Sequence, residues 1–228
     1  MRSFAPFRTL AVAALALASA AAQAGHKPGP PLKLPAVSPA EAEFRRQLRP
    51  YAECIVGRAG AEIVVFLNDG IGGRGAARRA KRLGAAAPGC ARPSGKSQAE
   101  AILLRGAIFE ALYRREFGAA PLPAGLAEVV PMGYGGKPSS DIVLATMVRG
   151  VFALFDCAVR KDPRGAASIL AHPPESEQEA AAFAAFEPAL SACQTGRSRV
   201  EFTASFARPY LSEILSTLSR SRAAPSPR

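Results

Sequence analysis

From residue 38 onward, apolar side chains return at helical intervals. Phe44, Leu48, Tyr51, Ala52, Ile55 and Val56 fall at i, i+4, i+7, i+8, i+11 and i+12, one face of a helix. Ser38-Pro39-Ala40-Glu41 supplies the start: serine as N-cap, proline in the first turn, glutamate reaching back. Pro50 should kink this helix, because it has no N–H for the turn before it. Residues 61–67 read either way, since Ile63, Val64 and Val65 also suit a strand. A basic helix is expected over 74–87, stopping near Pro88 and Gly89, and Ser97-Gln98-Ala99-Glu100 opens another through Phe117, ended by Gly118.

The later half has the same rhythm. Residues 119–138 form a linker rich in Pro and Gly, with one helical turn near 126–130. Ser139 or Ser140 should cap the longest apolar stretch, 142–159, which is apolar almost all round and therefore expected at the centre of the fold. Asp162-Pro163 starts the next helix, so its counterpart at 61–67 is read as helix too. Ser176-Glu177-Gln178-Glu179 caps a third, and Gly196 precedes a last one running to about Ser219. The tail, 221–228, is disordered by composition.

This rhythm repeats. Cys54 and Cys90 are 36 residues apart, as are Cys157 and Cys193, and a shift of 103 residues lays one pair on the other without a gap. At that offset Arg46 meets Arg149, Val56 meets Val159, Leu67 meets Leu170, Arg105 meets Arg208, and Glu110 meets Glu213. The expected fold is all-α: two degenerate four-helix repeats, 38–118 and 139–220, each clamped by one disulfide. Four cysteines allow three connectivities, and the duplication favours Cys54–Cys90 with Cys157–Cys193. No C-x2-C pair exists, and His26 and His172 lie far from any cysteine in sequence, so neither a metal nor another cofactor is expected.

Charge and the N-terminus narrow the setting. Lys and Arg number 29 against 18 Asp and Glu, a formal balance of +11. Arg2 and Arg8 flank a basic start, an uncharged apolar run extends from Leu10 to Ala22, and Ala22-Gln23-Ala24 follows. That order is a secretory signal peptide over 1–24, cut near Ala24, and the run is short of the roughly 20 residues a membrane span needs. Residues 25–37 then read as an extended arm. No second long apolar stretch suggests a span in the mature chain. Periplasmic or extracellular residence is expected, where disulfides persist. Nucleic acid is a poor partner there, and no aromatic residues interleave the basic ones.

The densest chemistry is the cluster Arg74, Arg78, Arg79, Lys81 and Arg82. Arg74, Arg78, Lys81 and Arg82 share one helical face, where like charges repel unless an anion offsets them. The counterpart in the second repeat carries Glu177 and Glu179 instead, so the fold does not require the cations. An anionic lipid, lipopolysaccharide or an acidic glycan would fit them; a solvated face in an arginine-rich chain is the plainer reading. The glycines at 70–75 precede this helix but lack a Walker ending, and read as a turn. Arg105, Glu110, Arg208 and Glu213 lie too far round their own helices to pair within them, so structural pairs with other helices are expected, for example through Arg46 or Arg149. Pro131-Met132-Gly133-Tyr134-Gly135-Gly136 reads as a tether or a mobile lid.

With the paired cysteines and Leu104-Arg105-Gly106-Ala107 followed by Glu110-Ala111-Leu112-Tyr113, the chain resembles uncharacterised exported helical proteins of alphaproteobacteria over about 40–219. The resemblance implies export and a helical fold, and no activity. The expected function is a binding or interaction module. One rival is a hydrolase or lyase using Glu100, Glu110 or Asp141; another is a scaffold holding a protein partner in an apolar groove.

Overall fold

A computed structural model describes residues 32–33, 37–71, 75–94, 100–118, 120–130, 133–137, 141–194 and 200–223. The leader expected over 1–24, Arg74, His26, Ser139, Ser140 and Gly196 lie outside them. Eight helices are present among the described residues: α1 (Pro39–Arg58), α2 (Ala61–Asn68), α3 (Ala76–Ala86), α4 (Glu100–Phe117), α5 (Ile142–Lys161), α6 (Pro163–Ala171), α7 (Glu177–Ser191) and α8 (Ala204–Ala223). Shifted by 103 residues, the bounds of α1 fall on those of α5. Two-residue strands β1 (Leu32–Lys33) and β2 (Val200–Glu201) pair in parallel, tying the N-terminal arm to the start of α8. The fold is all-α, with both within-repeat disulfides formed: Cys54–Cys90 and Cys157–Cys193.

Two apolar cores form, one centred in each repeat, and the second also takes in Ile71 and Tyr113 from the first. Ile55, Leu83, Leu104 and Ile108 centre the first; Phe155, Phe186, Leu211 and Ile214 centre the second. Burial of such side chains contributes about 1.5–3 kcal/mol each. The repeats meet where α4 crosses α8, and the helices approach closely there. A Cβ added to Gly106 would lie 2.3 Å from the Cα of Pro209. Gly106 and Pro209 are counterparts at the repeat offset, so the crossing brings equivalent points together, as an approximate two-fold axis requires. Pro209 has no N–H for the Ser205 carbonyl one turn back. Arg45 Nη1 of α1 takes that carbonyl instead.

Four sequence expectations change. α5 is capped by Asp141, whose carboxylate accepts the Leu144 N–H, rather than by a serine. α5 is also not central throughout. Phe152, Phe155, Ala158 and Val159 are buried, but Ile142 and Val143 are 78% and 70% exposed. The C-terminal helix continues to Ala223, because Arg220 pairs with Glu116 and Arg222 donates to the Ala124 carbonyl. The helical turn in the linker is a 3₁₀ turn over Leu126–Glu128.

Two outcomes test this architecture. Replacing either cysteine pair with alanine should lower unfolding stability by about 3–4 kcal/mol, since each bridge closes a long loop in the unfolded chain. Non-reducing peptide mapping that joined the two repeats would contradict the pairing. Gly106→Ala should cost about 1–3 kcal/mol or more in urea unfolding, by forcing α4 off α8. An unchanged midpoint would mean that the helices do not cross so closely.

Candidate functional site

α3 begins without a side-chain cap: Gly75 is its N-cap and its first turn holds no acid. Its counterpart α7 is capped by Ser176 and carries Glu177 and Glu179 in the first turn. Helix N-termini favour negative charge, so α7 meets a demand that α3 leaves open. Ala80 and Leu83 turn inward, and Cys90 fastens the segment after α3 to α1. Arg78, Lys81 and Arg82 are exposed at i, i+3 and i+4, and none has an acidic partner among the described residues. Arg79 is different. It contacts the Asp69 carboxylate, which ties α3 to the end of α2.

The Arg and Glu residues of α4 and α8 form a reciprocal lock. Arg105 Nε and Nη2 each donate to Glu213 at 2.7 Å, while Arg208 Nε and Nη2 each donate to Glu110 at 2.8 Å. All four side chains are buried. The guanidinium groups also serve helix ends, whose last carbonyls lack partners. Arg105 Nη1 donates to the carbonyls of Leu67 and Asp69 at the end of α2. Arg208 reaches the equivalent carbonyls of Leu170 and His172 at the end of α6. Burial alone would lower the Arg208 pKa, but Glu110 and Glu179 outweigh it and hold the guanidinium above its ordinary value.

These pairs differ from the expected ones. Arg46 bonds Glu43 on its own helix, and among the described residues Arg149 reaches only Thr146. α1 contributes through other residues: Arg49 Nε lies 3.4 Å from Glu110, and Arg45 lies beside Glu175. In the sequence Glu179 reads as part of a capping box and as an acid in the counterpart of the cationic segment. Its carboxylate instead accepts the Glu175 N–H and bonds Arg208 Nη1 at 2.5 Å. The linker is fastened rather than free. The Gly135 N–H donates to Glu213, Tyr134 stacks on Phe152, and the Tyr134 hydroxyl donates to Asp156. Burial and that hydrogen bond push the Tyr134 pKa up.

A small cleft opens beside the crossing, lined by Arg45, Arg49, Glu110, Glu175, Ser205 and Arg208. Glu175 stands there at φ 61°, the left-handed region, with its carboxylate on the Ser205 hydroxyl. The three acids considered for catalysis do not converge. Glu110 holds Arg208, Glu100 bonds Arg92 at 3.1 Å, and Asp141 caps α5. No cluster of three or more His, Cys, Asp and Glu able to hold a metal occurs among the described residues.

Compared with models of known protein families, with curated proteins and with solved structures, the chain matches none.

Removing one member of the lock should cost far more than removing a pair. Arg105→Met leaves Glu213 buried and unpaired, with an expected loss of about 3–5 kcal/mol. Adding Glu213→Leu should restore part of that loss, as a double-mutant cycle in urea would show. Strict additivity would mean that the two residues do not act as a unit.

Proposed function

We propose that the protein is an exported, disulfide-clamped binding module, and that the exposed face of α3 engages anionic components of the cell envelope. The observation that carries this reading is the cationic face itself. Arg78, Lys81 and Arg82 are held on a fixed helix, with no acid beside them among the described residues. Repulsion between neighbours at i, i+3 and i+4 costs a few tenths of a kcal/mol per pair, which an external anion would recover. α7 folds in the same place with acids in its first turn, so packing does not call for the cations.

Two further observations support export. Disulfide pairing suits an oxidising compartment. The basic start, apolar run and Ala22-Gln23-Ala24 have the order of a secretory signal. Phosphate-bearing headgroups and lipopolysaccharide both offer dense negative charge to such a surface.

Association with lipopolysaccharide and with anionic vesicles should be strong at low salt and fall steeply as salt screens the contact. Arg78→Glu with Arg82→Glu should reduce low-salt affinity at least about tenfold, on the scale of roughly 1 kcal/mol per surface cation. Affinity indifferent both to salt and to this charge reversal would rule the reading out.

A further inference from the structure

The exposed large hydrophobic side chains among the described residues are Val64, Val65, Val130, Ile142, Val143 and Met147. Val130 stands apart, beside Asp156 and Arg160 near the other end of α5, and the remaining five border one junction. The end of α2 and the linker are joined by two backbone hydrogen bonds, Lys137 N–H to Asn68 O and Ile71 N–H to Gly135 O. Val64 and Val65 lie one helical turn before this junction, and α5 starts a few residues after it. α3 is fastened to the same place through Arg79 and Asp69. The unpartnered cations and the exposed apolar groups therefore flank one junction of the molecule.

The duplication provides an internal control. On α5, Ile142, Val143, Thr146, Met147, Gly150 and Ala153 share one exposed face, at about 100° per residue. In α1 the positions matching Thr146, Arg149 and Gly150 are Glu43, Arg46 and Gln47, and Glu43 hydrogen-bonds both of the others. The position matching Met147 is Phe44, which is buried. In the first repeat Glu43, Arg46 and Gln47 make this face polar and the counterpart of Met147 packs into the core, whereas on α5 the face is apolar and Met147 is 62% exposed.

We infer that this end of the molecule docks on an anionic phospholipid bilayer. The apolar face of α5 enters the boundary between headgroups and acyl chains while neighbouring cations meet the phosphates. This inference rests on the reading of α3 as an anion-binding face and adds a hydrophobic contact to it. Charge complementarity selects the occupant: Arg149 borders the apolar face, Lys137 is exposed at the junction, and α3 supplies three more cations. Asp141 and Glu62 are the exposed acids nearby; Asp141 is committed to capping α5, and Glu62 lies in the first turn of α2. The helix lies on the bilayer and does not cross it. Its later half packs Phe152, Phe155, Ala158 and Val159 into the core, and residues 142–153 extend only about 18 Å against the roughly 30 Å of a hydrocarbon layer. Apolar area and anionic attraction together give such interfacial helices their affinity.

The chain contains no tryptophan, so Met147→Trp places a lone indole on the apolar face. The disulfide-bonded chain without the leader of residues 1–24 would be titrated with phosphatidylethanolamine–phosphatidylglycerol vesicles and, separately, with phosphatidylcholine vesicles. The expected result is a blue shift of the indole emission with the anionic vesicles alone. Val143→Asp, at an exposed position, should lower the partition coefficient at least about tenfold, and most clearly at high salt. Binding with no blue shift and no effect of Val143→Asp would overturn docking through α5 while leaving the α3 reading intact. A blue shift that needs no lipid and grows with protein concentration would overturn it in favour of a protein contact. Insertion that persists undiminished in Arg78→Glu with Arg82→Glu would instead remove the α3 reading.

Discussion

The molecule depends on two buried guanidinium groups that each hold a carboxylate from the opposite repeat. Arg105 and Glu213, and Arg208 and Glu110, exchange partners across the contact of α4 and α8. Charges so far from water are tolerable only when every donor finds an acceptor. That condition fixes the surroundings. The end of α2 must present Leu67 O to Arg105, the loop after α6 must present His172 O to Arg208, and the linker must bring the Gly135 N–H to Glu213.

The two halves of this lock have different surroundings. Around Glu110 stand Arg208, Arg49 and Arg114, with Glu179 as the second carboxylate on Arg208. At the offset of 103 residues, Phe152 replaces Arg49, Thr217 replaces Arg114 and Ala76 replaces Glu179. The Arg105 side therefore carries fewer charges of both signs. Aromatic packing takes the vacated place: Phe152 lies edge-on to Tyr210, whose pKa is pushed up to about 12 by burial, with Glu213 adding to the effect.

Much of this architecture was legible in the sequence because it rests on local regularities. Apolar spacing, capping residues and equal cysteine intervals each report on a few neighbouring residues or on one repeat offset. Contacts between repeats were not legible. The partners of Arg105 and Arg208 depend on how two helices cross, and no spacing along one helix encodes a crossing. α5 misled for a physical reason as well. An apolar helix is expected inside, and nothing in its composition separates a half that packs from a half that faces outward. The basic face of α3 could be read in advance, because Arg78, Lys81 and Arg82 fall on one side of a helix at fixed angles; the acid beside Arg79 could not.

Neither disulfide joins the two repeats. Each closes within its own half, and the linker is the covalent route from the first repeat to the second. The molecule is therefore arranged as a homodimer is arranged, with an isologous interface, except that both subunits share one chain. A protease cutting the linker ahead of the pinned Tyr134 would leave two stapled polypeptides whose union becomes a matter of concentration. Chain continuity, rather than the strength of the interface alone, is what keeps the two halves in equal number and always within reach of each other.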